Sequence, residues 1–513
     1  MKTAYFGMDA LADCLEVLLQ GGHEVIKIFT TEGDAYDRTE RICSLARERG
    51  IPLQKTRVSE QDTDALREAG AELTVTAGYP WKIPVTDAFM QVNLHPALLP
   101  EGRGPWPMPT AILRGRPSGV TLHKLSGKLD EGDIILQKEI PLAEGETLLT
   151  LGEKIRAEAV RLLGNFLREP KKYWAEARPQ GAGDYWPEPG DSERTLREGE
   201  ETCVRSLKLR AFAGYGCLVY ENGVPWVTDE EGRKKELYFR ELRLSDRQEM
   251  ERTRRKYAPA LSDYTFALLW CWRRQLGLSV CVGEDFFAVK GKGYCFFPVC
   301  SSGKAAYFLR ELYKNGDAIL RFCDERAKEI ALREFPLSVC RLSEDDCDYL
   351  IENDKLHDLP GGALLRRRND LHHYMNLAPS PCAEPITRQN VAEAAALSER
   401  CRLAGCADGE AEREAFRNFF ELGLKGVLVR RGDVVGFAIG SEKDENTLQG
   451  HFSKCTEKVR GASLFTVRSC SDAVAERYRY TNLEDDMGEA GLRTFKRSLK
   501  AQIIPSYTIE LRQ

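Results

Sequence analysis

The residues with the clearest chemical potential in this sequence are an asparagine and a histidine in one short segment. The segment Q-V-N-L-H-P-A-L-L-P-E-G-R-G-P-W-P, residues 91–107, places Asn93 and His95 at alternate positions of an expected strand, so both project from one face. An amide donor beside an imidazole suits acyl transfer to an amine, because the amide stabilises a developing oxyanion while the imidazole takes up a proton. On spacing alone, a structural hydrogen-bonding role is the commoner alternative.

An acidic turn follows in G-V-T-L-H-K-L-S-G-K-L-D-E-G-D-I-I-L-Q, residues 119–137. The turn lies between two strand-like runs, so the chain can return a carboxylate to the same site. Such a carboxylate would orient His95 and raise its basicity, as the third member of a catalytic set. The spacing does not choose between Asp130 and Asp133, and a surface turn without a catalytic role is the alternative to both.

These segments belong to a region, residues 1–170, in which apolar strands alternate with amphipathic helices. The runs K-T-A-Y-F-G, E-V-I-K-I-F-T and L-T-V-T-A-G-Y are typical of parallel strands buried on both faces. The alternation predicts an α/β fold with a doubly wound, mostly parallel sheet that binds ligands at the carboxyl ends of its strands. No G-x-G-x-x-G follows the first strand, so a ligand other than a dinucleotide is expected.

The length of 513 residues is sufficient for about three to four domains. A boundary is expected in the Gly- and Pro-rich stretch P-Q-G-A-G-D-Y-W-P-E-P-G-D, which follows a long amphipathic helix at 147–169. We expect four parts: a catalytic domain at 1–182, a connector or small subdomain at 183–246, and two α+β units at 247–385 and 386–513.

Composition narrows the class of protein further. With 74 basic and 79 acidic residues the net charge is -5, which gives no support to a broad nucleic-acid-binding surface. No run of about 18 apolar residues and no signal peptide is recognisable, so a membrane-spanning or secreted protein is not expected. The 16 cysteines are scattered without a C-x-x-C pair, which is typical of reduced thiols in a cytoplasmic protein.

The two catalytic segments together carry a resemblance to a known family. The chain resembles the catalytic domain of the 10-formyltetrahydrofolate-dependent formyltransferases in N-L-H-P-A-L-L-P-x-x-R-G-P-x-P and G-V-T-L-H-x-L-x-x-x-L-D-x-G-D-I-I. That family includes methionyl-tRNA, glycinamide ribonucleotide and amino-sugar formyltransferases. The resemblance covers residues 1–170 and implies a Rossmann-like sheet and 10-formyltetrahydrofolate as the donor. It also implies that Asn93 and His95 hydrogen-bond the formyl oxygen, and that Asp130 pairs with His95 to relay protons from the amine.

The same resemblance implies two walls of a pterin pocket. One wall, in V-T-A-G-Y-P-W-K-I-P, would use backbone contacts of Trp81, Lys82 and Ile83, although Lys82 stands where the family usually has an apolar residue. The opposite wall would run over residues 125–130. Its candidates are Leu125, Ser126, Gly127 and Leu129.

An acceptor contact is expected in the R-G-P turn, at Arg103 and Pro105. Arg103 could bind a phosphate or a carboxylate of the acceptor, with a solvated loop arginine as the alternative. His123 also matches a family position, and we expect it to be a hydrogen-bonded core residue that supports the site.

The second half of the chain carries separate motifs. The segment at 480–500 reads N-x-E-x-D-x-G-x-x-G-L-R-x-x-K, and the segment at 347–374 holds R-R-R-N followed by two histidines. A basic cluster could hold phosphates of a nucleotide or of a tRNA end, but a solvated face is the commoner outcome. The histidines have no cysteine nearby at zinc-ligand spacing, so no metal is expected.

Residues 247–513 resemble the C-terminal domain of phosphatidylglycerol lysyltransferases and their soluble relatives, a tandem of two acyltransferase folds of the GNAT type. Ser453 and Cys455 depart from the Glu and Ala that commonly follow His-Phe there, which puts retained donor chemistry in question. The membrane-spanning half of those enzymes has no counterpart, so a lipid acceptor is not expected. The resemblance implies these site candidates: Arg368, Asn369, His451, Lys454, Asn482, Glu484, Asp486, Arg493 and Lys496.

Together these features favour a bifunctional cytosolic transferase. The first domain would formylate a primary amine of a small metabolite, such as an amino sugar or an amino acid derivative. The second half would transfer an acyl or aminoacyl group from acyl-CoA or aminoacyl-tRNA. One alternative is a methionyl-tRNA-type formyltransferase with a tRNA-binding second half, and another is a formyltransferase fused to a non-catalytic binding module. No DNA or membrane partner is expected, and the oligomeric state is not indicated.

Overall fold

The computed structural model describes the chain in four stretches, residues 1–33, 38–403, 408–473 and 477–513. The chain divides into two compact units. The first unit comprises residues 1–219 and 227–235, and the second comprises residues 220–226 and 236–513. Within the described stretches, no helix combines the length and the apolar character needed to cross a membrane.

A central sheet in the order β3-β2-β1-β4-β5-β6-β7 forms the first unit. The strands from β3 to β5 in this order are parallel, whereas β6 and β7 join antiparallel. The strands are β1 (Lys2–Gly7), β2 (Glu24–Phe29), β3 (Leu53–Gln54), β4 (Leu73–Ala77), β5 (Met90–His95), β6 (Gly119–Lys124) and β7 (Ile134–Glu139). The predicted α/β fold with a mostly parallel sheet is confirmed.

Helices cover this sheet and follow its last strand. They are α1 (Ala12–Gln20), α2 (Glu40–Glu48), α3 (Glu60–Glu68), α4 (Pro107–Arg114), α5 (Leu148–Arg168), α6 (Pro170–Ala175), α7 (Asp191–Arg194) and α8 (Thr202–Ala211). α5 begins where the Thr147 side chain caps the backbone amide of Thr150 at 3.2 Å. Its stripe of Leu151, Ile155 and Leu163 is buried in the same apolar cluster as the inner face of the sheet.

A small sheet in the order β10-β9-β8 follows α8. Its strands are β8 (Leu218–Glu221), β9 (Val224–Thr228) and β10 (Lys234–Leu237). The turn between β8 and β9 contains Asn222 and Gly223 at positive φ, the conformation that such residues adopt most readily in tight hairpins. The expected connector at 183–246 therefore contains ordered helices and a sheet.

Two further sheets form the second unit, and each contains strands from both sides of the boundary expected at 385/386. The first, in the order β11-β12-β13-β14-β15-β24-β16, consists of β11 (Arg240–Glu241), β12 (Ser279–Gly283), β13 (Phe286–Gly291), β14 (Tyr294–Phe296), β15 (Ile319–Cys323), β16 (Val339–Leu342) and β24 (Tyr507–Glu510). The second, in the order β18-β19-β20-β21-β22-β17-β23, consists of β17 (Asp348–Glu352), β18 (Cys382–Pro385), β19 (Lys425–Arg431), β20 (Asp433–Asp444), β21 (Thr447–Cys455), β22 (Tyr480–Asn482) and β23 (Gln502–Ile504).

Both sheets contain a parallel pair within otherwise mainly antiparallel neighbours, β14 with β15 and β21 with β22. The tandem of α+β folds expected from the sequence is thus present. The boundary expected at 385/386 does not separate the sheets, because β17 precedes it and β24 follows it. A single apolar cluster contains Phe287 and Val289 of the first sheet together with Leu428 and Phe437 of the second.

Helices of the second unit pack around these sheets. They are α9 (Arg247–Tyr257), α10 (Phe266–Trp272), α11 (Ser302–Lys314), α12 (Glu325–Glu334), α13 (Asn353–Asp358), α14 (Leu365–Met375), α15 (Val391–Leu403), α16 (Gly409–Arg417), α17 (Ala462–Asp472) and α18 (Ala490–Ser498).

Candidate functional sites

The first site lies at the carboxyl end of β5, where Asn93 and His95 are held between β4 and β6. Asn93 pairs in register with Thr76 on β4 and with His123 on β6. His95, at the last position of β5, is 5% exposed. The parallel strands of the sheet end here, at the edge where α/β folds bind ligands.

Asp130, and not Asp133, is the carboxylate that returns to this pair. Asp130 Oδ1 lies 3.7 Å from His95 Nδ1 and accepts a hydrogen bond from Asn93 Nδ2 at 3.4 Å. The backbone amide of Gly104 donates to the other oxygen, Oδ2, at 3.0 Å. Asp133 instead forms an ion pair with Lys124 at 3.2 Å. The structure thus resolves the choice that spacing left open.

The partners of His95 indicate which nitrogen is available as a base. Its Nε2 lies 2.8 Å from the carbonyl oxygen of Gly102, which can only accept, so Nε2 carries the proton. In the neutral ring Nδ1 is then unprotonated, and it faces Asp130 at 3.7 Å. A proton taken up by Nδ1 would be stabilised by the carboxylate, which is the arrangement required of a proton acceptor in amine acylation.

His123 supports Asn93 from the neighbouring strand. Its Nδ1 donates to the carbonyl oxygen of Lys124 at 2.7 Å, which leaves Nε2 to accept from Asn93 Nδ2 at 3.1 Å. Burial, together with the nearby His95, lowers the pKa of His123 to about 4. His123 is therefore neutral at physiological pH, and it fixes the direction in which the Asn93 amide points.

The two expected pocket walls lie beside this group and contact each other. The Lys82 ammonium donates to the carbonyl oxygen of Gly127 at 2.8 Å, which joins the loop after β4 to the loop after β6. Ile83 is buried in an apolar cluster against which Trp81 and Leu125 pack. Trp81, Ile83 and Leu125 thus pack in one apolar cluster, and their contact with a pterin ring stays a prediction.

Two other members of the second wall face outwards in part. Ser126 Oγ donates to the carbonyl oxygen of Lys128 at 2.8 Å, which closes the loop locally. Leu129 is 54% exposed, so it offers an uncovered apolar side chain next to Asp130. Trp81 packs edge-on against Tyr79 in the first wall, with ring centroids 5.4 Å apart.

Arg103 is engaged within the protein. Its guanidinium donates to Gln180 Oε1 through Nε at 3.2 Å and through Nη2 at 3.0 Å, and to the carbonyl oxygen of Gly181 at 3.0 Å. Glu131 lies 3.7 Å from its Nη1, and the arginine side chain is 12% exposed. Pro105, two residues further on, is exposed.

The second site is a cavity of about 680 Å³ within the second unit. One part of its lining is apolar and includes Leu269, Trp272, Phe296 and Phe495. The other part is rich in acids. The acidic lining residues are Asp263, Asp345, Asp346, Asp408, Glu484 and Asp485.

A hydrogen-bonded chain of four side chains lies at this cavity. His451 lies with Nδ1 2.8 Å from Glu484 Oε1 and with Nε2 2.7 Å from Ser441 Oγ. Gln449 Nε2 also donates to Glu484 Oε1, at 2.6 Å. Glu484 adopts a positive φ of 58°, so its contacts hold a strained backbone in place.

Asn482 and Lys496 support the loop that carries Glu484. Asn482 accepts from the amide of Glu484 at 2.7 Å and donates to the buried carboxylate of Asp348 at 2.7 Å. Lys496 donates to the backbone carbonyl oxygens of Leu483, Glu484 and Asp485. Because its ammonium donates to three carbonyl oxygens of this loop, Lys496 stabilises the cavity wall.

Asp486 and Arg493 form an ion pair behind the same loop, with Nη2 2.7 Å from Oδ1 and Nε 2.9 Å from Oδ2. Lys454 pairs with Asp408 at 2.6 Å and lies in the cavity lining. Arg368, on α14, donates to the carbonyl oxygen of Leu359, and its neighbour Asn369 is exposed. Of the sequence candidates, the structure therefore brings His451, Lys454, Glu484 and Lys496 to the cavity. The candidates outside its lining are Arg368, Asn369, Asn482, Asp486 and Arg493.

Asp263 is a cavity residue that the sequence did not indicate. Its Oδ2 is buried and has no hydrogen-bond partner within the described stretches of the chain. Burial, together with the charges of Asp348 and Asp485, raises the pKa of Asp263 well above its usual value. A buried, unpaired carboxyl with a perturbed pKa in an acid-rich cavity is a feature typical of functional sites.

Comparison with known proteins finds a family match in each half of the chain. Residues 1–167 match the formyl transferase family, and residues 254–510 match the family of phosphatidylglycerol lysyltransferase C-terminal domains. A methionyl-tRNA formyltransferase of Thermus thermophilus is 30% identical over 224 residues, which make up 41% of this chain and 73% of that protein. The chain belongs to the formyl transferase family and, in its second half, to the phosphatidylglycerol lysyltransferase C-terminal family.

Further comparisons give the extent of other matches. A methionyl-tRNA formyltransferase of Fervidobacterium nodosum is 31% identical over 178 residues, which cover 33% of this chain and 57% of that protein. The chain spans 57%, 62% and 58% of the first three curated relatives it matches. A conserved protein of unknown function from Bacteroides thetaiotaomicron, with a TM-score of 0.49 and 23% identity, covers 53% of this chain and 99% of its own.

Sequence reasoning missed two residues, Gln180 in the first unit and Asp263 in the second. Gln180 lies in a Gly- and Pro-rich stretch that reads as a linker, and no feature of the sequence links it to Asp130. Asp263 lies in an unremarkable S-D-Y turn far along the chain from the other cavity residues. In both cases the contact joins segments distant in sequence, so no local pattern could reveal it.

Proposed function

We propose that the formyl transferase domain transfers a formyl group from 10-formyltetrahydrofolate to a primary amine. The observation that carries this proposal is the meeting of Asn93, His95 and Asp130 at the carboxyl end of β5, with Asp130 Oδ1 3.4 Å from Asn93 Nδ2 and 3.7 Å from His95 Nδ1. The folate supplies the formyl group and leaves as tetrahydrofolate. The walls that contain Trp81 and Leu125 are where its pterin ring would bind.

Each of the three side chains has a role that follows from its contacts. Negative charge develops on the formyl oxygen when the amine nitrogen bonds to the formyl carbon, and Asn93 Nδ2 donates to it in place of its long 3.4 Å hydrogen bond to Asp130. His95 accepts the proton that the amine loses, and Asp130 stabilises the imidazolium that results. The bond from the formyl carbon to the folate nitrogen then breaks, and the same proton passes to that nitrogen.

The acceptor that we favour is a primary amine of a small metabolite, such as an amino sugar or an amino acid derivative. The net charge of -5 supports this choice over tRNA, since tRNA binding depends on clustered positive charge. The named relatives are methionyl-tRNA formyltransferases, so methionyl-tRNA is the principal alternative acceptor. Loss of turnover between low and moderate salt would identify it, because phosphate contacts weaken steeply with salt.

The test is release of tetrahydrofolate from 10-formyltetrahydrofolate in the presence of a panel of amines and of methionyl-tRNA. Asp130→Asn should lower kcat by about 10²- to 10³-fold, as expected for a group that stabilises charge in the transition state. Asp133→Asn is the matched control, because Asp133 pairs with Lys124 at the edge of the same turn. Failure of every acceptor, or equal rates for Asp130→Asn and the wild type, would exclude the proposal.

A second candidate function, for the second half, is transfer of a cationic aminoacyl group. It is favoured by the unpaired carboxyl of Asp263 in an acid-rich cavity, and by a family name that specifies lysyl transfer. Charged lysyl-tRNA and labelled acetyl-CoA should be compared as donors. Transfer from lysyl-tRNA that is lost in Asp263→Asn and retained in Asp433→Asn, which alters an exposed acid, is the expected result. Inactivity with both donors would favour a binding module.

A further inference from the structure

Residues 178–186, which we call the strap, follow the end of the match to the formyl transferase family at residue 167. The strap is packed onto the catalytic loops. The backbones of Arg178 and Ile134 exchange hydrogen bonds at 2.8 and 3.0 Å. At its other end Trp186 donates to the carbonyl oxygen of Arg103 at 2.7 Å, and the amide of Arg103 donates to Asp184 at 3.2 Å.

Gln180, in the middle of the strap, uses all of its polar atoms on the catalytic loops. Its Nε2 donates to the carbonyl oxygen of Asp130 at 2.9 Å and to that of Gly132 at 2.6 Å. Its Oε1 accepts twice from the guanidinium of Arg103, at 3.2 and 3.0 Å. An amide has two donor hydrogens and one acceptor oxygen, so this set of contacts defines a single orientation of the side chain.

These contacts fall on the part of the loop that most needs support. Asp130 has a φ of 53°, in the left-handed region that non-glycine residues adopt only when their surroundings impose it. The Gly104 amide donates to the Asp130 carboxylate, at 3.0 Å from Oδ2. Gln180 therefore holds the backbone of Asp130, while Gly104 holds its carboxylate.

We infer that Gln180 is a positioning residue that holds the Asp130 carboxylate against His95 and Asn93. Arg103 serves this arrangement by fixing Gln180, which makes the strap a part of the formyl transferase site. The inference rests on the proposed formyl transfer, and it adds a residue outside the stretch that matches the family.

Two substitutions separate positioning from simple packing. Gln180→Met removes both donors and the acceptor, whereas Gln180→Glu keeps the shape and the acceptor for Arg103 but removes the donors. Both should lower kcat by about 10- to 100-fold, because small displacements of a catalytic group have effects of that size. The KM for 10-formyltetrahydrofolate should change by less than about 3-fold, since the loss concerns the transition state. Glu188→Gln, an exposed change just beyond the strap, is the control.

A second readout does not depend on turnover. Hydrogen exchange at the Gly104 amide, which donates to Asp130, should accelerate in both Gln180 variants and stay unchanged in Glu188→Gln. Wild-type kcat in Gln180→Glu, or unchanged exchange at Gly104, would overturn the inference. The two proposals can fail separately. If the wild type formylates no acceptor but exchange at Gly104 still accelerates in the variants, the proposed function is wrong and the positioning of Asp130 by Gln180 is supported.

Discussion

Lys82 and Gly127 join the two walls of the expected pterin pocket through a hydrogen bond of 2.8 Å from the lysine ammonium to the glycine carbonyl oxygen. The family usually has an apolar residue at the position of Lys82, so the sequence did not indicate what the lysine side chain contacts. The contact gives the polar side chain a specific task, since it sets the spacing between the loops after β4 and β6.

The first prediction concerns this contact. Lys82→Met should raise the KM for 10-formyltetrahydrofolate by about 3- to 10-fold with little change in kcat, because one hydrogen bond contributes about 1 kcal/mol and acts on binding. Steady-state kinetics with varied folate checks it. Lys128→Met is the control, because Lys128 lies on the same loop with its side chain 78% exposed. An equal change in KM for both variants would show that only general charge matters.

The second prediction concerns His123, which accepts from Asn93. His123→Leu should lower kcat by about 10-fold or more, since Asn93 loses the acceptor that orients it and one buried donor is left unpaired. His123→Gln should retain more activity, because the glutamine oxygen can take the place of Nε2. Comparable losses in the two variants would indicate that His123 contributes shape and not a hydrogen bond.

A pH effect follows from the same residue. The folded-state pKa of His123 is lowered to about 4 from 6.5, so the unfolded chain binds its proton more readily between those values. Stability should therefore rise with pH between about 4 and 6.5 and be complete above 6.5. Urea unfolding of the wild type and of His123→Gln at pH 7 and pH 5 measures it. Between pH 7 and pH 5 the wild type should lose unfolding free energy relative to His123→Gln. An equal difference at both pH values would contradict the lowered pKa of His123.

The fourth prediction uses two glycines of one loop. A Cβ at Gly132 would lie 1.8 Å from the carbonyl oxygen of Lys124, whereas a Cβ at Gly127 would meet nothing within 4 Å. Gly132→Ala should destabilise the first unit by about 1–3 kcal/mol, because the backbone must move. Gly127→Ala should leave the unfolding temperature nearly unchanged. Equal unfolding temperatures for the two variants would mean that the loop relaxes freely.

The fifth prediction concerns Asp263 in the second unit. Its pKa is raised by burial and by nearby Asp348 and Asp485, so the folded state retains a proton that the unfolded chain releases. Stability should then fall as pH rises above the ordinary aspartate range, and Asp263→Asn should unfold at a higher temperature than the wild type at pH 8. The gain should shrink at pH 5. Asp433→Asn should show neither effect, and a wild-type advantage at pH 8 would exclude the unpaired buried carboxyl.

The sequence was most informative where chemistry is concentrated in short segments. Apolar runs revealed the parallel sheet, and the spacing of Asn93 and His95 revealed one face of β5. Spacing left Asp130 and Asp133 as alternatives because both lie in one turn, and it was the family resemblance that singled out Asp130; the loop conformation then shows Asp130 beside His95. Residues such as Gln180 and Asp263 act across long sequence separations, so their roles depend on tertiary contacts that no period or motif encodes.

The position of β24 in the second unit has a consequence for synthesis. β24 (Tyr507–Glu510) lies between β15 and β16 and pairs with both, although every strand of the second sheet is encoded between β16 and β24. The first sheet can therefore be completed only after β24 has emerged from the ribosome. Until then β15 and β16 each present an unpaired edge. Such distant pairing makes folding slow, so the nascent chain would be most exposed to aggregation during the translation of residues 343–506.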